Sequence, residues 1–75
     1  METHDMVRMA NQIADFFRGY AHDTAVKETA EHINRFWAPR MRRAFFDHMA
    51  KGGEGFDALV KEAAPQVRKP KADAA

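Results

Sequence analysis

The sequence predicts an all-α fold: a small bundle of three main helices, a short C-terminal helix and a disordered tail. Three observations point there. Apolar residues recur at helical spacing in three successive segments; no segment shows the alternation of a half-buried strand; and the segments are separated by Gly and Pro rather than by hairpin turns. The connections are short, which favours an up-and-down arrangement. The domain reading is a helical unit over 1–65 and a tail over 66–75.

The first helix is expected from about Asp5 to Tyr20. At 100° per residue Met6, Met9, Ala10, Ile13, Phe16, Phe17 and Tyr20 fall within a sector of roughly 120°, with Arg8, Asn11, Asp15 and Arg18 opposite. Thr3 or Asp5 can cap its start, and Gly19 marks its end. The second opens at Asp23 or Thr24 and runs to Trp37, with Val26, Thr29, Ala30, Ile33, Phe36 and Trp37 on one face. Ala38-Pro39 then breaks the chain, because the residue before proline avoids helical geometry while proline suits a first turn.

The third helix runs from Pro39 to Lys51, where Gly52-Gly53 supplies left-handed backbone. Met41, Ala44, Phe45 and His48 form its inward face, His48 as a hydrogen-bonded core histidine. Phe46 falls outside that face and is expected to lie largely in water in a monomer. Asp57 caps the short fourth helix, Ala58 to Ala64, which turns Leu59, Val60 and Ala63 inward and ends at Pro65. Gln66 to Ala75 is mostly Lys, Pro, Ala and Arg and is expected to be disordered.

Composition narrows the function. At 75 residues the chain buries only about 60% of the surface it exposes when unfolded. Without cysteine it offers no disulfide and no thiolate metal site. Twelve basic residues against 11 acidic ones are a poor match for a protein that neutralises phosphates. No apolar run approaches the roughly 20 residues of a membrane span, and the expected location is cytoplasmic.

Catalytic equipment is hard to find. His4, His22, His32 and His48 lack the i,i+4 spacing of a helical metal pair. Asp15, Glu28, Glu31 and Asp47 fall on solvated faces, and Gly52-Gly53-Glu54-Gly55 lacks the Lys-Ser/Thr of a phosphate loop. The reading is a chain with no catalytic, cofactor-binding or metal-binding residues of its own.

What remains is a surplus of apolar and arginine side chains. Six Phe, five Met, one Trp and one Tyr exceed what so thin a core can hide, and the pairs Phe16-Phe17 and Phe45-Phe46 cannot each point fully inward. Met9, Ile13, Phe16, Ile33 and Phe45 fit a core stripe. Four arginines fall within Glu31–Arg43, around Trp37. Such a run is commonly a solvated face, but Arg forks and aromatic anchors are also enriched at interfaces. The candidate partner-binding residues are Arg35, Trp37, Pro39, Arg40, Arg42, Phe46 and Met49. The same arginines leave open an alternative, a small helical DNA- or RNA-binding regulatory module. The isolated chain is also open to self-association through its spare apolar surface.

Three motifs carry a resemblance. Arg8-Met9-Ala10-Asn11-Gln12-Ile13-Ala14 with Phe16-Phe17, then His32-Ile33 with Phe36-Trp37 and Pro39-Arg40-Met41-Arg42, then Gly52-Gly53-Glu54-Gly55 with Leu59-Val60, resemble in order and spacing the delta subunit of cytoplasmic NAD-dependent formate dehydrogenases. The resemblance spans roughly Met6 to Val60. It departs at Ala38, where the family commonly has an acidic residue, and at Ala58, where it has proline. It implies a non-catalytic accessory subunit of a molybdenum or tungsten enzyme that oxidises formate to carbon dioxide and reduces NAD. In that family the alpha subunit carries bis-molybdopterin guanine dinucleotide and Fe–S clusters, and the beta and gamma subunits carry FMN and further clusters. The implied partners are therefore those subunits rather than nucleic acid or membrane, and the implied role is to support the cofactor-loaded alpha subunit.

Overall fold

A computed structural model describes residues 2–70. Helix α1 spans Thr3–Phe17, α2 His22–Phe36, α3 Pro39–Ala50 and α4 Ala58–Ala63, which runs into a 3₁₀ turn at Ala64–Gln66. No strand occurs among the described residues. The molecule measures 41 × 21 × 18 Å. With a helix about 10 Å across, that depth holds two layers, so every helix keeps an outer face in solvent.

The breaks fall where local chemistry puts them. Trp37 and Ala38 are extended, with ψ of 129° and 156°, and Pro39 opens α3. At the other end of α3 the Gly53 N–H donates to the His48 carbonyl (2.9 Å) and the Gly52 N–H to the Met49 carbonyl (3.0 Å). This is a Schellman closure, with Gly52 and Gly53 at φ of 108° and 65°. A side chain at Gly53 would be strained by that φ and would meet Met49 Sδ at 3.0 Å.

The capping expectations hold only in part. Asp57 caps α4, accepting from the Leu59 N–H (3.2 Å). Thr3, Asp5, Asp23 and Thr24 do not cap: α1 and α2 begin after Glu2 and Ala21, neither making a side-chain cap bond. Asp5 and Asp23 lie instead in the first turns, where a carboxylate still favours the positive end of the helix.

The core is a narrow strip from each element. Met6, Ala10 and Ala14 come from α1, Val26, Thr29, Ala30 and Ile33 from α2, and Phe45 from α3, closed by Leu59, Val60 and Ala63. Helix α2 packs most extensively on α4 and then on α1. Small residues at Ala10 and Ala14, wholly buried, let the helices approach closely.

Two expected core residues are not in it. Phe16 is 73% exposed and Phe36 68% exposed, because only the centre of each apolar sector is covered and both rings stand on its flank. Phe46, expected largely in water, is half-buried, its ring edge-on to Phe45 at 5.5 Å. The disordered-tail expectation needs shortening as well. Val67 is buried, and the Arg68 N–H donates to Asn34 Oδ1 at 2.7 Å, so 66–68 are packed against α2. Residues 71–75 of that stretch lie outside the described residues.

Thr29 presents a testable defect. Its Oγ1 is wholly buried and finds no hydrogen-bond partner, and an orphaned buried hydroxyl costs about 1–3 kcal/mol. Thr29→Val is expected to raise stability by about 1 kcal/mol, read as an upward shift of the denaturation midpoint at unchanged slope.

Candidate functional site

The rings that leave the core end up on one surface. Met9, Gln12, Ile13 and Phe16 of α1 form one wall of an apolar groove. His32 and Phe36 of α2 form the other, and Trp37 and Met41 complete it at the elbow. Phe16 and Phe36 are its most exposed members, and Trp37 is 5% exposed. No carboxylate lines the groove.

Aromatic contacts hold the walls upright. Phe16 stands edge-on to Phe17 (4.9 Å between centroids), Phe17 faces His32 (6.4 Å), and His32 lies against Phe36 (4.7 Å). The sequence of rings runs from α1 across to α2, so the two walls are braced against each other. At the elbow the Trp37 ring meets Phe45 edge-on at 6.2 Å. One indole therefore belongs both to the core and to the groove, as expected of a residue that fixes how α2 and α3 meet.

Of the sequence-predicted partner residues, Trp37 lines this groove. Arg35 lines an adjoining cleft with Phe17, Glu28, Glu31, His32 and Phe36. Pro39 and Arg40 are exposed on the first turn of α3. The other three are engaged internally. Arg42 donates from Nη1 to the Trp37 carbonyl and from Nε to the Arg68 carbonyl, both at 3.0 Å. Phe46 and Met49 are half-buried against the core.

Sequence reasoning also missed several residues that tie the loops and the C-terminal segment to the helices. Asn11, assigned to an outer face, donates to the Gly55 carbonyl and accepts from the Asp57 N–H, both at 2.9 Å. Asn34 repeats the arrangement, donating to the Gln66 carbonyl (3.0 Å) and accepting from the Arg68 N–H (2.7 Å). Each side-chain amide thus clamps the backbone of residues two apart. Phe56 is buried, 5.1 Å from both Phe45 and His48. His48 is hydrogen-bonded as expected, its Nε2 donating to the Glu54 carbonyl at 2.7 Å, but it is half-buried at the surface rather than in the core. The only advance signal for Phe56 was a lone ring directly before a capping aspartate.

An ion pair ties the α1 end to α4. Arg18 binds both Asp15 (2.6 Å) and Asp57. The Arg18 hydrogen bond holds the Asp57 carboxyl below the ordinary carboxylate range against the opposing cost of burial, with the Leu59 N–H adding to the effect. A carboxyl whose folded value is depressed contributes stability above its unfolded value and loses it as pH falls through the folded one. Wild type should therefore lose more melting temperature below about pH 4 than Asp57→Asn does, which calorimetry across that range will read.

Other charged groups form a weaker pattern. His22 Nε2 lies 2.8 Å from Glu62, and Arg8 pairs with Asp5 at 3.1 Å, both at the surface and worth little. Among the described residues no three His, Asp or Glu side chains gather to hold a metal ion, and no helix is long and apolar enough to cross a membrane.

A family model described as the NADH-dependent formate dehydrogenase delta subunit, FdsD, matches residues 5–64. No curated protein and no solved structure matches the chain.

Proposed function

The chain belongs to the FdsD family, the delta subunit of NADH-dependent formate dehydrogenase, and from that premise we propose that it is a non-catalytic accessory subunit that docks on the larger subunits. Docking is proposed on the alpha subunit, the one taken to carry the bis-molybdopterin guanine dinucleotide and Fe–S clusters, in a cytoplasmic complex whose beta and gamma subunits pass electrons through FMN to NAD. The observation that carries the reading is the groove itself. Two phenylalanines more than two-thirds exposed, on opposite walls of one apolar groove, are unusual on a free-standing surface.

The role follows from mass action. A subunit that binds only the folded, cofactor-loaded form of its partner stabilises that form by RT ln(1 + [L]/Kd), about 2.7 kcal/mol at a hundredfold excess over Kd. It raises the lifetime of active enzyme without touching formate. The nucleic-acid alternative has less support, since Arg42 of the cluster it would use is bound to two backbone carbonyls and the chain's twelve basic residues are nearly balanced by 11 acidic ones.

Deleting the subunit from its host should lower the molybdenum or tungsten content per alpha subunit and shorten the half-life of formate oxidation at elevated temperature. Full metal loading together with an unchanged half-life would rule the role out.

A further inference from the structure

Accepting the accessory-subunit reading as its basis, we infer that the groove receives an amphipathic α-helix of the larger dehydrogenase subunit, N-terminal end towards Glu28 and Glu31, acidic C-terminal end towards Arg35 and Arg40. Secondary structure of the occupant is decided by polar supply. The lining offers only Gln12, His32 and the indole N–H of Trp37 as polar side-chain groups, too few for the row of backbone N–H and C=O groups that an extended segment would bury. A helix satisfies its own backbone and presents apolar side chains alone.

Length agrees. Met9 to Phe16 covers eight residues of α1, about 10 Å or two turns between the first and the last. That matches an occupant with bulky apolar residues at i, i+3 or i+4, and i+7.

Charge sets the direction. In the cleft that adjoins the groove across His32 and Phe36 the charges run along α2 from acidic, Glu28 and Glu31, to basic, Arg35, and the exposed Arg40 directly precedes the groove residue Met41 on α3. None of the four makes an ion pair among the described residues. They therefore remain available to a partner. The occupant's helix dipole, positive at its N-terminus, complements this gradient in one orientation only, and carboxylates near its C-terminal end would meet the two arginines.

The test uses dehydrogenase complex purified from a strain lacking this subunit, titrated with the wild-type chain and with variants whose folding is checked by thermal melting. Phe16→Ala combined with Phe36→Ala should weaken binding at least about 30-fold. Arg35→Glu with Arg40→Glu should weaken it several-fold at low salt, the loss fading at high ionic strength. Phe36→p-benzoylphenylalanine, irradiated in the complex, should cross-link to a helical segment of a larger subunit with acidic residues at its C-terminal end. If the wild-type chain fails to bind, the accessory reading falls and the groove assignment with it. If the wild type binds and the double phenylalanine variant binds equally well, the groove is wrong while the accessory reading stands. Cross-linking to a strand, a loop or a second copy of this chain overturns the helix, and indifference to the arginine reversals overturns its direction.

Discussion

Phe45→Ala is expected to remove a large fraction of the isolated chain's stability. Phe45 is wholly buried, and its ring contacts Trp37 at the elbow, Phe46 on its own helix and Phe56 in the loop before α4. It joins the elbow, α3 and the loop before α4. Replacing a buried phenylalanine by alanine costs about 3–5 kcal/mol in transfer and cavity terms. A chain of this length has a total stability of roughly 4–11 kcal/mol, so the loss is a large fraction of it. For so small a domain each kcal/mol moves the midpoint by about 4–8 °C, and the melting temperature by circular dichroism should fall by at least about 12 °C. Phe36→Ala removes an identical ring from the solvent-facing wall and should change stability by no more than about 0.5 kcal/mol. A Phe45→Ala melt within about 5 °C of wild type would show that the aromatic cluster is not the joint of this fold.

That contrast also marks how far the sequence could be read. Helix existence, the elbow at Ala38-Pro39, the stop at Gly52-Gly53 and the Asp57 cap all depend on residues within one turn of the feature, and all are found. Phe16 and Phe36 were misplaced because periodicity gives the direction of an apolar face but not the width of strip its neighbours cover. Here the covered strip on α1 is the line Met6, Ala10, Ala14, and a ring one step to its side is left in water. Phe46 erred the other way, since an edge-on contact with the preceding ring and the core does not show on a helical wheel. The expectation that some aromatic surface must remain uncovered survives, with Phe16 and Phe36 rather than Phe46 as its most exposed bearers.

The polar joints were illegible for a different reason. Asn11 and its partners at Gly55 and Asp57 are separated by more than forty positions, and the partners are backbone groups. Nothing in the type or spacing of an asparagine on an outer helical face says which distant backbone it will clamp. Arginine is ambiguous in the same way. The cluster around Trp37 looked uniform in sequence, yet among its four members the fold turns Arg35 and Arg40 outward, leaves Arg43 half-buried and ties Arg42 to the backbone.

Arg42→Ala tests that division, and its expected cost is about 1.5–3 kcal/mol. One guanidinium satisfies the Trp37 carbonyl at the exit of α2 and the Arg68 carbonyl in the C-terminal strap, and hydrogen bonds from a charged donor are the stronger kind. The Trp37 carbonyl bond is the part-buried one, so its loss should dominate; the Arg68 carbonyl is at the surface and can turn to water. Lysine should recover little, because a single ammonium cannot reproduce the fork that spans both oxygens. The strap has a second fastening in Asn34, which holds the Gln66 carbonyl and the Arg68 N–H. Releasing either should speed exchange of the Arg68 amide, and the double variant Asn34→Ala with Arg42→Ala should cost less than the sum of the two, since a strap already loosened has less left to lose. Strict additivity with unchanged Arg68 exchange would mean that the two side chains act on separate structures. Should Arg42→Ala instead leave stability untouched and weaken binding to the dehydrogenase, the guanidinium would be a docking contact after all, and the interface would have to extend from the groove across the elbow.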